Sequence, residues 1–176
     1  METYIALLRG INVSGQKMIK MTDLTVLLSE LDFQNIRTYI QSGNLVFEYP
    51  ETDQKELARL IESKILHQYK FDVPVVIRHK SDLLKIQECN PFLKRNENID
   101  KLHVTFIDDE PSTDLIEKAK QTDSGSDEFE VIGRKVFVLC PDGYGNTKLN
   151  NTFFEKKFKT KATTRNWKTV VKLGEI

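Results

Sequence analysis

The sequence has little of what staples, anchors or exports a chain. Only two cysteines, Cys89 and Cys140, occur in 176 residues, far apart and without a CxxC partner. With no export signal, that usage reads as two reduced thiols rather than a disulfide framework. Three histidines, His67, His79 and His103, show neither HExxH nor paired spacing, so neither a metal site nor a cofactor is read from them. No apolar run approaches the roughly 18 residues that a membrane-spanning helix needs. The stretch METYIALLRG lacks a basic segment leading into an apolar one with a small-residue cleavage site. The expectation is a cytoplasmic protein with no membrane partner, and a monomer. Net charge is missing too, since 26 Lys+Arg oppose 26 Asp+Glu. Neutrality excludes a polyanion binder held by bulk charge and leaves room for a local basic site.

What is present reads as alternating strands and helices. YIALL at 4–8 is a strand, and the polar stretch Gly10 to Lys20 is a long loop. Leu24, Leu27, Leu28 and Leu31 repeat at helical spacing, which predicts a helix opened by Thr22 as N-cap. Residues 37–41 and 44–47 form a hairpin across Ser42-Gly43. Asp53 with Glu56 resembles a capping box, opening a helix to about Tyr69, and DVPVVIR at 72–78 is the next strand. A connecting helix spans Ser81 to Glu88. The order then partly recurs. There is a strand at 102–107, a helix capped by Ser112, and a hairpin across Gly133-Arg134. A helix follows over 149–158, then a last helix over 165–173 in which Trp167 and Val170 face the core.

The expected fold class is α+β, with two ferredoxin-like βαββα(β) units, antiparallel or mixed sheets and packed helices. Residues 1–80 make the first unit and 81–100 the connecting helix and loop. Residues 101–176 make a second βαββα-type unit with an extra C-terminal helix.

Charge is balanced globally and unevenly spread. From Asp108 to Glu130 nine acids face two bases, and from Thr147 to Ile176 eight bases face two acids. In a βαββαβ unit the loop after the first strand and the turn between the second and third meet at one sheet edge. That edge gathers Arg9, Asn12 and Lys20 with Gln41, Ser42 and Asn44. Cations also stand near predicted helix starts, with Lys20 before the first helix, Lys148 after the GYGNT turn and Arg165 after Thr163-Thr164. A helix N-terminus is already positive, so a cation there suits an anion. The chain's own carboxylates are the alternative occupant. GYGNTK matches neither the GxxxxGK[ST] loop nor GxGxxG.

The segments LLRGINVSGQKMIKM, TYIQSGNLVFE, GYGNTKLNNTFFEKK and ATTRNWKTV resemble a bacterial family known as domain of unknown function 1697. The resemblance spans nearly the whole chain. It implies a small cytosolic α+β protein and no established activity. Its motifs fall on Arg9, Gly10, Asn12, Lys20, Gln41, Ser42, Gly43, Asn44, Tyr144, Lys148, Thr164, Arg165, Asn166 and Trp167. Ser14 stands where a glycine is usual, as does Asp32.

Three functions follow as expectations. The first is binding of an anionic small molecule or a nucleic-acid end. In it Arg9, Lys20, Lys148 and Arg165 would pair with phosphate oxygens, Asn12, Gln41, Ser42 and Asn44 would orient the rest, and Tyr144 would stack, with Asn166 a further ligand-binding candidate. The second is an enzyme using the same cluster, although no nucleophile and base can be assembled from the motifs. The third is an RNA-binding module using Tyr4 and Phe47 on an open sheet face.

Overall fold

The computed structural model describes Met1–Ile176. The chain divides into one unit of Met1–Leu84 with Leu173–Ile176 and another of Lys85–Lys172. The first unit runs β1 (Glu2–Leu8), α1 (Met21–Ser29), β2 (Gln34–Tyr39), β3 (Asn44–Tyr49), α2 (Gln54–Tyr69) and β4 (Val75–His79). Its strands lie in the order β2-β3-β1-β4, with every pair antiparallel. That is the ferredoxin-like arrangement. α3 (Lys80–Cys89) follows.

The sheet positions the edge. Tyr4, Ala6 and Leu8 of β1, with Leu45, Phe47, Val75 and Ile77, pack against Leu24 and Leu28 of α1 and Leu57, Ile61 and Ile65 of α2. Phe33 stacks on Phe47 with ring centroids 4.2 Å apart. Each large apolar side chain so buried contributes about 1.5–3 kcal/mol. The alternate residues Ile5, Leu7, Val46 and Val76 point to the other sheet face and are buried as well. Burial on both faces explains why β1 reads as a continuous apolar run instead of alternating. It also removes the open-face RNA reading, because Tyr4 and Phe47 lie inside the helix-packed core and have no surface on which a base could stack.

Local signals set the ends of the helices. The Asp53 carboxylate accepts from the Lys55 and Glu56 amides at 3.0 and 3.1 Å and starts α2 as expected. α1 departs from expectation. Thr22 lies inside the helix, and the N-cap is Lys20, which has no side-chain oxygen with which to cap. The β2–β3 turn depends on Gly43, whose φ is +80°. A Cβ there would sit 2.8 Å from Leu8 Cβ and 2.9 Å from Ile11 Cδ1, closer than any side chain tolerates.

The second unit runs β5 (Leu102–Ile107), α4 (Thr113–Lys120), β6 (Glu128–Ile132), β7 (Lys135–Leu139), α5 (Asn151–Phe158) and β8 (Ala162–Asn166). α6 (Trp167–Glu175) follows β8. The order β6-β7-β5-β8 repeats that of the first sheet, again with antiparallel pairs throughout. The core on its helix side gathers Ile107, Phe129, Val136 and Val138 with Phe154 and Phe158 of α5. Trp167 and Val170 are buried, as their spacing suggested.

Two expectations fail in this unit. Arg165 does not open a helix. It lies in β8, opposite Val104 of β5, and the last helix starts two residues later. The physical reason is the β-branched pair Thr163-Thr164, which favours extended backbone and completes a βαββαβ unit where only βαββα was expected. Lys148 is not at a helix start either, because Asn150 is the N-cap of α5 and accepts from the Phe153 amide.

Candidate functional site

Six of the ten candidate residues lie in the first unit and four in the second. In the first, the loop after β1 is built from left-handed residues. Gly10, Asn12, Ser14, Gly15 and Lys17 all have positive φ, and Val13 bridges back to Gln16. Asn12 ties this loop together. Its Nδ2 donates to the carbonyls of Ile19 at 2.9 Å and Gln41 at 2.8 Å, while its Oδ1 accepts from the Ile19 amide at 2.8 Å. One amide therefore joins the strand-1 loop, the approach to α1 and the β2–β3 turn. Asn44 works in the same way within the turn. It is fully buried, and its Nδ2 donates to the Tyr39 carbonyl and to Ser42 Oγ, both at 3.0 Å. The Leu8 amide donates to Gly43 O at 2.8 Å and the Arg9 amide to Pro74 O at 2.9 Å.

The edge therefore forms as topology predicts, with roles divided. Asn12 and Asn44 spend their amides on main-chain carbonyls and shape the edge. Gln41 and Lys20 are exposed, and Arg9 and Ser42 half-exposed. Lys20 forms no ion pair with any carboxylate. The one acid in the first turn of α1, Asp23, accepts from the Thr22 hydroxyl.

In the second unit the four remaining residues do not form one cluster of cations at helix ends. Asn166 caps α6 through its Oδ1, which accepts from the Thr169 amide at 2.8 Å. Arg165 is buried, and its guanidinium donates to Thr163 Oγ1 at 2.8 Å and the Thr164 carbonyl at 2.9 Å. Burial lowers its pKa to about 10, because a low-dielectric surrounding penalises the charge. Lys148 donates to the Asp123 carbonyl at 3.1 Å. It lines a pocket of about 240 Å³ whose other walls carry Asp123, Asp127 and Asp142. Those acids hold the walls in place. Asp127 accepts from the Thr147 hydroxyl, and Asp142 accepts from Ser126 Oγ at 2.8 Å. Three carboxylates around one lysine make this pocket a poor home for an anion.

Tyr144 does stack, but on a residue outside the motifs. Its ring lies 4.5 Å from that of His103, at 25°. His103 Nδ1 is buried without a hydrogen-bond partner, and burial lowers the imidazole pKa against the opposing influence of the Lys101 backbone. The histidine spacing assigns His103 no role. The available signal was LHVTFI itself, where a lone histidine sits in a strand and alternates with the buried Leu102 and Val104.

The family described as "Protein of unknown function (DUF1697)" matches residues 1–137. Among solved structures, the chain is similar to the conserved bacterial protein SP0830 from Streptococcus pneumoniae. The TM-score is 0.78 and the identity 22%, over 99% of this chain and 97% of that one. At that identity the likeness concerns the fold. No curated protein matches. No helix is long and apolar enough to cross a membrane.

Proposed function

This chain belongs to the DUF1697 family of proteins of unknown function, and from that premise we propose that its first unit binds a small phosphate-bearing anion at the edge formed by Arg9, Lys20, Gln41 and Ser42. The observation that carries the reading is the position of Lys20. It is exposed, stands as the N-cap of α1 and offers no side-chain cap. A cation at a helix N-terminus is unfavourable by about 0.3–1 kcal/mol. An anion reverses the sign of that term, since main-chain N–H groups, helix dipole and ammonium then all favour it. Arg9 adds a planar fork suited to phosphate. Gln41 and Ser42 add neutral donors. Lys148 and Arg165 do not stand at helix starts in this way, because Asn150 and Asn166 cap those helices.

The test is nitrogen-15 NMR at low ionic strength, with inorganic phosphate and a nucleoside monophosphate as probes. Shifts are expected within residues 9–20 and 41–44. They should weaken on adding salt and fall by roughly an order of magnitude in affinity in Lys20→Ala, about 1.4 kcal/mol. A silent spectrum at millimolar phosphate, or binding indifferent to Lys20→Ala, overturns the reading.

A further inference from the structure

The geometry points to a second site in the first unit, at the end of β1 opposite Arg9. We propose that Glu2, Glu51 and His79 bind a divalent transition-metal ion of the zinc class. One ligand atom from each residue lies within 4.8 Å of the other two. His79 Nε2 stands 3.8 Å from Glu51 Oε1. Zinc-class ions take imidazole nitrogen and carboxylate oxygen at about 2.0–2.2 Å, which spaces tetrahedral ligands by roughly 3.3 Å. Small rotations of two exposed carboxylates close that difference.

Tyr4 lies among the three ligands. Glu2 precedes it by two residues on β1 and so shares its side of the strand. His79 is its partner across the β1–β4 ladder, and the two rings lie 4.8 Å apart. The Tyr4 hydroxyl donates to the Thr52 carbonyl at 3.1 Å and accepts from the Thr52 amide at 2.9 Å, pinning the residue next to Glu51. Tyr4 itself is fully buried. Tyr4 thus backs the His79 ring and fixes the main chain next to Glu51, without bonding either carboxylate.

Charge points the same way. Glu2 and Glu51 converge with no lysine or arginine in ion-pair contact, and the basic group facing Glu51 is the His79 imidazole. Two carboxylates drawn together favour a cation between them. An imidazole in the set favours zinc, cobalt or nickel over calcium, magnesium and manganese, which suit oxygen shells. Three protein ligands leave a coordination position for water. Glu51 is 72% exposed, so an ion has an open path. Histidine spacing gave no hint of this set, because its members come from β1, the β3–α2 loop and β4.

The test uses the untagged full chain, titrated with Co²⁺ by visible absorption and with Zn²⁺ by calorimetry. One saturable site per chain is expected, with a raised melting temperature. His79→Ala and Glu51→Gln should each weaken binding about tenfold or more. His67→Ala, on the exposed side of α2, should change nothing. Should His79→Ala fail to fold by circular dichroism, Glu2→Gln and Glu51→Gln give the same readout from exposed side chains. Absence of saturable binding, binding unchanged in Glu51→Gln, loss with His67→Ala, or equal filling by Mg²⁺ overturns the proposal.

Discussion

Asn12 holds Gln41. Its side-chain amide donates to the Gln41 carbonyl at 2.8 Å and so fastens the loop after β1 to the β2–β3 turn. The same side chain satisfies both the amide and the carbonyl of Ile19. Three main-chain groups thus depend on one residue, which itself sits at φ 55°. Asparagine suits both demands, since it tolerates left-handed backbone and carries a donor and an acceptor.

Asn12→Ala is therefore expected to destabilise the protein by about 1–3 kcal/mol, the cost of leaving such groups unsatisfied. Asn12→Gly relieves the backbone and loses the same bonds, so it should fall between. Urea denaturation gives the ranking, and hydrogen exchange at the Ile19 amide should rise in both variants. An alanine variant as stable as the parent would show that the fastening is dispensable.

His103 makes stability depend on pH in a defined direction. Burial lowers its pKa below the usual histidine value of about 6.5. The unfolded chain then takes up the proton first, so stability falls as pH drops through about 6.5 toward the lower folded value. Melting temperatures recorded between pH 7.5 and 5 should decline, and His103→Gln should flatten that decline. Nuclear magnetic resonance should place the His103 titration below the usual range. A midpoint at or above it would contradict the burial argument.

The two thiols should separate chemically. Cys140 is fully buried, and burial pushes its pKa up to about 11, opposed by a hydrogen bond with Thr147. Cys89 is only half-buried. The thiolate is the reactive form, so a disulfide reagent at pH 8 is expected to label Cys89 alone in the native protein and both thiols in urea. Rapid native labelling in a Cys89→Ser variant would show that Cys140 is open to solvent.

Much of the fold was legible because periodicity and turn residues carry it. The leucines of α1, the Asp53 cap of α2 and the Ser42-Gly43 turn sit where the pattern placed them, give or take a residue. β8 was not legible, since ATTRN is polar and an arginine in it suggests solvent. The burial of Arg165 depends on partners such as Thr163 that only the folded strand supplies. The strand-1 edge could be read from topology alone. The division of labour within it could not, because nothing in the sequence says that Asn12 and Asn44 spend their amides on the main chain. The pairing of His103 with Tyr144, and of His79 with Glu51, joins residues that only the sheet brings together.

The first unit contains residues 173–176 as well as 1–84. A Cβ added at Gly174 would lie 3.5 Å from Leu84 Cδ2, in ordinary van der Waals contact, and Lys80 donates to the Ile176 carbonyl. A growing chain emerges from the ribosome in order, so the first sheet is synthesised early while its last contacts arrive only after the whole second unit. The half made first is finished last. Its completion therefore reports that the intervening 88 residues, Lys85–Lys172, have already been made.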